Sequence, residues 1–319
     1  MRVVAIEEHY STPELLQATG VDFSWMADNP HDRLIDTSEA RLADMDAAGV
    51  DVQVLSASGP GVQVLPAETA IPMARTLNTS LHEAVVARHP DRFAAFATLP
   101  MGDPAAAVAE LKHSVTQLGF VGALVNGTTG GRFLDHPDFD PLLEAAAELD
   151  VPLYLHPGVP PKPVLGAYYS ELPHPLSLLL ATTGYGWHYE TSLHALRLVV
   201  TGVFDRHPGL KVVLGHLGEG LPFHLARIED TVTPLAGHLA KPVSAYFREN
   251  FWVTTSAYFF DGPFHLTREV FGDDRVLFSV DYPFSDNKRG TDWLQQLSVE
   301  PDVRARIAHA NADDLLHLG

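Results

Sequence analysis

Residues 1–10 read MRVVAIEEHY, and the apolar run Val3–Ile6 passes without a break into Glu7, Glu8 and His9. A β-branched apolar run of this kind reads as a buried strand, where ionisable side chains are costly unless something pairs with them. The end of the strand therefore calls for a partner. Seven further runs have the same look: VQVLS (52–56), FAAFATL (93–99), FVGALV (120–125), VPLYLH (151–156), LKVVLGH (210–216), FWVTTS (251–256) and RVLFSVD (275–281). Between them lie Ala- and Leu-rich segments of helical period, such as EARLADMDAAG before the second run and AAAVAELKHSVTQLG before the fourth, several closed by Gly or His-Pro. Apolar strands alternating with helices form a parallel sheet covered on both faces. Eight such units match a single (β/α)8 TIM barrel, expected here as one α/β domain over residues 1–319. A doubly wound sheet is the rival, weakened because no G-x-G-x-x-G follows the first strand.

Two stretches exceed a minimal barrel. Residues 10–38 and 157–190 are rich in Pro, Gly and aromatics and follow strands one and five. They are expected as long loop insertions at the C-terminal mouth, where this fold carries its active sites. Three other strands end at that rim in a metal-competent residue: His156, His216 and Asp281. Residues two apart on a strand share a face, so Glu7 and His9 are expected to point into the barrel and Glu8 outward, toward the helices. Glu7, His9, His156 and Asp281 together offer two imidazoles and two carboxylates, a set for one divalent ion, Zn²⁺ first and Mn²⁺ second, rather than the all-oxygen shells of Mg²⁺ and Ca²⁺. A single His near a strand end is more often structural; the joint pattern carries the reading.

Composition narrows the partners. The formal charge of −19, with only 21 Lys and Arg spread along the chain, argues against nucleic acid and anionic membranes and for a small-molecule substrate. The absence of Cys excludes thiolate chemistry and disulfides. No signal-like start and no run of eighteen apolar residues is present, so a cytoplasmic protein is expected.

The segments AIEEHY, TSEARLADMDAAGV, DRFAAFATLP, GFVGALVNG, VPLYLHPG, LGHLGEGLP and VLFSVDYPF together resemble the metal-dependent decarboxylases of the amidohydrolase superfamily. The likeness runs over almost the whole chain and is greatest to γ-resorcylate and 2,3-dihydroxybenzoate decarboxylases, with aminocarboxymuconate-semialdehyde decarboxylase more distant. It implies that Glu7, His9, His156 and Asp281 hold the metal, that Asp281 gives a proton to the ring carbon, and that His216 with Glu219 serves it as an acid/base pair. It also sets Arg41 and Arg227 near substrate or subunit contacts, and implies a homodimer or homotetramer. The fourth strand ends in VNG, without the Lys that bridges two metals in binuclear relatives, so one metal is expected.

The implied reaction is non-oxidative decarboxylation of an ortho-hydroxybenzoate-like acid, an aromatic carboxylate protonated on the ring carbon before CO2 leaves. The alternative is a metal-dependent hydrolase of an ester, lactone or amide; a barrel that only binds or scaffolds is a third. The continuation GVPPKPVLGAYYS after His156 lacks the Arg common among resorcylate enzymes, which leaves the substrate open. Asn126, closing the fourth strand, and Phe284, beyond the eighth, count as substrate-binding candidates. Trp25, Tyr168, Tyr169, Trp187, Tyr258 and Tyr282 also lie on segments near the mouth, with ordinary packing as the competing role for each. In HLGEGLP (216–222), Glu219 and Pro222 read alternatively as the start of the next helix. NGTTGGR (126–132) reads as a βα loop rather than a phosphate cradle.

Overall fold

All eight expected strands form, in the expected order and all parallel, in a computed structural model that describes residues 1–24, 26 and 28–318. They are β1 (Val4–Tyr10), β2 (Val52–Ala57), β3 (Phe93–Ala95) with β4 (Ala97–Thr98), β5 (Ala123–Asn126), β6 (Leu153–His156), β7 (Val212–Leu214), β8 (Phe251–Thr254) and β9 (Val276–Leu277). The third expected strand is interrupted at Phe96, whose amide still reaches Leu55 O at 2.9 Å while Ala97 N turns to Gly122 O at 2.8 Å. One strand thereby joins the ladder β1-β2-β3 to the ladder β4 through β9. Among the described residues no helix is long and apolar enough to cross a membrane.

The barrel closes between β1 and the chain beyond β9, and there side chains replace the ladder. His9 N donates to Tyr282 O at 2.6 Å, and Glu7 N to Ser279 Oγ at 2.8 Å. The carboxylate of Glu8 accepts from Val280 N at 2.9 Å, Tyr282 N at 3.0 Å and Ser279 Oγ at 3.2 Å. This corrects the expectation that Glu8 points to the helices: it is fully buried and fills the seam. Burial pushes its carboxyl up to about 8 against the pull of the two amides, so the seam is held by a group largely relieved of its charge. Beyond Val276 and Leu277 the expected strand 275–281 leaves the ladder: Phe278 N donates to Ile307 O at 2.9 Å, and the amides of Ser279, Val280 and Tyr282 go to the side chains of Thr255 and Glu8.

Strand faces sort as a barrel requires. Val4, Ile6, Val54, Phe96, Tyr154 and Val213 form the interior cluster, while Ala5, Leu55, Leu153, Leu155 and Leu214 pack in the larger core that includes the helices. Simple alternation from Ile6 would send Glu7 outward. The β1–β2 register shows why it does not: Ala5 pairs with Gln53 and Glu8 with Leu55, three steps against two, which is a one-residue bulge.

The two insertions are partly helical rather than irregular. The first holds Pro13–Thr19, capped by Thr12 accepting from Leu15 N at 3.2 Å and ended by Gly20 in the left-handed region. The second holds Lys162–Tyr168 and Leu176–Ala181 and leads into the helix Gly186–Val200. Trp25 lies outside the described residues.

The seam makes a testable claim about stability. Glu8→Ala strands two buried backbone amides at about 1–3 kcal/mol each, so its urea midpoint should fall far below that of the parent, whereas a midpoint unchanged within error would show that the seam does not need this carboxylate.

Candidate active site

The β1 bulge brings Glu7 and His9 to the interior rim beside His156, which pairs in register with Asn126 at the end of β5. Glu7 Oε1 lies 3.3 Å from His156 Nε2 and 3.9 Å from His9 Nε2. Asp281 sits mouthward, with Oδ1 3.2 Å from His9 Nε2 and Oδ2 4.0 Å from His216 Nε2. All four sequence-predicted ligands therefore meet, although Asp281 touches the cluster through His9 and not through Glu7.

The remaining polar atoms of Glu7, His9 and His156 are already committed. Glu7 Oε2 is hydrogen-bonded by Tyr154 Oη and Ser256 Oγ, with Thr254 Oγ1 at 3.4 Å. His156 Nδ1 donates to Pro157 O at 2.7 Å, and His9 Nδ1 meets Ser56 Oγ at 3.2 Å. These contacts turn both Nε2 atoms toward Glu7 Oε1. Yet Glu7 Oε1 and His9 Nε2 are buried with no hydrogen bond, the Asp281 approach to His9 being off a hydrogen-bonding direction. Buried polar atoms are rarely left so. Ligands bound at 2.0–2.1 Å in a tetrahedral site stand about 3.4 Å apart, which matches these gaps, so the residues fit a divalent cation. Burial alone would raise the Glu7 carboxyl, but His216, His156 and His9 around it hold it well below the usual carboxylate range.

Beyond β7 the chain makes a left-handed turn. His216, Leu217, Gly218, Glu219 and Gly220 all have φ between 48° and 82°. The three that are not glycine cost about 3–6 kcal/mol together at 1–2 kcal/mol each. The turn folds His216 Nδ1 onto Glu219 Oε1 at 2.8 Å and ends before the helix Leu221–Val232, so Glu219 lies against the His216 imidazole and not in that helix's first turn. A Cβ on Gly215 would stand 3.0 Å from Glu7 Oε2 and 3.2 Å from Glu219 Oε1, so a larger residue there would crowd both carboxylates. His216 is raised to about 10: burial pushes it down, but Glu219, Glu7 and Asp281 outweigh this.

Glu219 has a second imidazole that sequence reasoning missed. His188 Nδ1 lies 2.5 Å from Glu219 Oε2. His188, His216 and Glu219 could be taken for another metal cluster, but separations of 2.5 and 2.8 Å are too short for ligands around an ion and suit shared protons. The segment GYGWHY gave no strand context from which His188 could be placed. Tyr154, Thr254 and Ser256 were within reach: Tyr154 precedes His156 by two on one strand, and the other two are two apart.

Other candidates separate clearly. Phe284 stacks edge-on to His9 at 5.7 Å and tilts against Phe23 at 5.6 Å; Trp187 lies 6.5 Å from His156, and Tyr258 5.7 Å from His216. Tyr282 is buried under Arg41, while Tyr168 is exposed beside Tyr169. Asn126 has a buried, unpartnered Oδ1 near the rim, its backbone clasped by Gln63. Arg41 departs from its expected place at the substrate. It is fully buried and donates to His9 O at 2.5 Å, Asp36 O at 3.0 Å and Gln53 Oε1 at 3.2 Å, so it braces the end of β1 from behind. Arg227 is exposed on the helix Leu221–Val232, away from the buried cluster.

Known proteins share this architecture over its full length. A γ-resorcylate decarboxylase of Rhizobium sp. (strain MTP-10005) is 40% identical over 328 residues, covering 99% of this chain and 98% of that one. The solved structure of a 2,6-dihydroxybenzoate decarboxylase complexed with 2,6-dihydroxybenzoate is 38% identical with a TM-score of 0.91, covering 100% of this chain and 99% of that one. A dihydroxybenzoic acid decarboxylase from Polaromonas sp. JS666, solved with bound manganese and the inhibitor 2-nitroresorcinol, is 36% identical with a TM-score of 0.91, covering 99% and 97%. The family model Amidohydro_2, described as amidohydrolase, matches residues 6–318. With a match of that extent and relatives of that identity, the chain belongs to the amidohydrolase family.

Proposed function

We infer that this chain is a metal-dependent carboxy-lyase that decarboxylates an ortho-hydroxylated aromatic acid without oxidation. The observation that carries the reading is the placement of Asp281 between two differently built groups: the cation-spaced cluster Glu7, His9 and His156 on one side and the proton-holding pair His216–Glu219 on the other. The names and ligands of the relatives support the substrate class. A divalent ion held by Glu7, His9, His156 and Asp281 would supply a Lewis-acid anchor for the phenolate and carboxylate oxygens of such a substrate. Two imidazoles with two carboxylates accept both Zn²⁺ and Mn²⁺, and chelation followed by readdition of each separately tells them apart.

The chain's own residues supply the proton transfer. Phe284 on one side and Trp187 and Tyr258 on the other offer aromatic faces for a ring. Asn126, paired in register with His156 at the end of β5, is proposed to flank the substrate ring. Asp281 gives its proton to the carbon bearing the carboxylate, a C–H bond forms and aromaticity is lost. The C–C bond then breaks, its electron pair returns to the ring, and CO2 leaves. His216, held at Nδ1 by Glu219 and with Nε2 facing Asp281, restores the proton to Asp281.

The insertion after β6 leaves Tyr168, Leu176, Leu180, Tyr185 and Tyr189 exposed along one stretch. So much apolar surface in sequence is what a second copy of the chain covers, and the protein is proposed to be a homodimer or homotetramer.

Three outcomes are expected. Elemental analysis should find about one divalent ion per chain, mostly lost in His156→Ala; retention in that variant would remove His156 from the ligand set. Metal-replete protein offered salicylates, resorcylates and dihydroxybenzoates beside esters and lactones should release CO2 from the acids, and His216→Asn should keep its metal while losing about 10²–10⁴-fold in kcat; turnover confined to the esters or lactones would assign a hydrolase instead. Light scattering should give a dimer or tetramer that Leu180→Glu weakens, and an active monomer at micromolar concentration would refute the assembly.

A further inference from the structure

The carboxylate of Glu219 is wholly buried and is gripped from both sides. His216 Nδ1 meets Oε1 at 2.8 Å and His188 Nδ1 meets Oε2 at 2.5 Å, with the two rings 4.7 Å apart. An ionised carboxylate only accepts, so each Nδ1 carries a hydrogen and each imidazole is fixed in plane. His216 is thereby left with Nε2 toward Asp281. Without His188, one Glu219 oxygen would be buried with no donor, and the carboxylate would be free to rotate off the line that aims His216.

His188 belongs to the insertion side of the barrel and not to a strand. It lies in the first turn of the helix Gly186–Val200, with Nε2 3.1 Å from Thr183 O and 3.2 Å from Trp187 Nε1. That helix start is set closely by the insertion: a Cβ on Gly186 would fall within 2.5 Å of Ala181 O and 2.6 Å of Tyr169 Oη. The placement of His188 therefore depends on the packing of the segment that covers the mouth.

We propose that His188 is a positioning residue for the decarboxylation: its Nδ1–H locks Glu219, which orients His216 toward Asp281, and so ties the proton supply to the seating of the insertion. This rests on the carboxy-lyase reading above. It differs from a packing role because only one edge of the ring matters, and amide side chains separate the edges. The nitrogen of Asn falls where Nδ1 lies, whereas that of Gln falls near Nε2.

The test compares His188→Gln with His188→Asn. Loss of an outer partner of this kind costs about 10–100-fold in activity, so His188→Gln should lose that much in kcat with KM and metal content unchanged, and His188→Asn should recover most of it. In ¹⁵N-histidine-labelled protein, the low-field Nδ1–H resonance of His216 should survive in the Asn variant and be lost to exchange in the Gln variant. This signal is read without turnover, so it tests the clamp even if the parent enzyme proves inert toward the aromatic acids. Wild-type kcat with an intact His216 resonance in His188→Gln would overturn the proposal, as would an Asn variant no better than the Gln variant.

Discussion

One extra residue in the first strand governs the site. Without the bulge between Ala5 and Glu8, the alternation that buries Val4 and Ile6 inside the barrel would turn Glu7 and His9 into the helix layer, and no cluster with His156 would exist. The bulge also breaks the ladder where the barrel must close, which explains why Glu8 and not a backbone carbonyl receives the amides of Val280 and Tyr282. Arg41 secures the same place from outside by donating to His9 O. Three conspicuous charged residues near the mouth thus have unequal tasks: Glu7 faces the site, while Glu8 and Arg41 hold the strand that presents it.

Burying Glu7 costs several kcal/mol before any partner is counted. The barrel offsets this asymmetrically. Oε2 is saturated by hydroxyls from Tyr154 on β6 and Ser256 just beyond β8, far apart in sequence, whereas Oε1 is left bare toward two imidazoles. The left-handed turn at His216–Gly220 is a second concentrated cost. It is tolerated where the surrounding structure overdetermines it, and it puts two residues three apart into contact outside any right-handed helix.

Much of this was legible in the sequence because strands and ligands follow simple periods. The eight apolar runs, their order and the rim formed by His156, His216 and Asp281 are all local or period-two features, whereas the pairing of His216 with Glu219 came only with the family resemblance. The bulge was not legible: counting by twos from Glu7 gives the orientation observed for Glu7 and His9, counting from Ile6 gives the opposite, and only the β2 register decides. Arg41 was placed near substrate or subunit contacts by the family resemblance, and nothing in the sequence shows that its guanidinium is consumed by the carbonyls of His9 and Asp36 and by Gln53. His188 lay in an insertion without period, and its role exists only through a contact 31 residues away.

The two halves of the site differ in spacing, and spacing decides their chemistry. Polar atoms 3.3–3.9 Å apart with bare lone pairs, as at Glu7, His9 and His156, repel one another until a cation stands between them. Atoms 2.5–2.8 Å apart, as at His188, Glu219 and His216, have no room for an ion and are stable only with a hydrogen on each line. Asp281 touches both, one oxygen toward His9 and the other toward His216. On the proposed reading, a carboxylate so placed would face the cation with one oxygen and the proton supply with the other, so that metal binding and proton delivery would fall to a single side chain because it alone spans the two spacings.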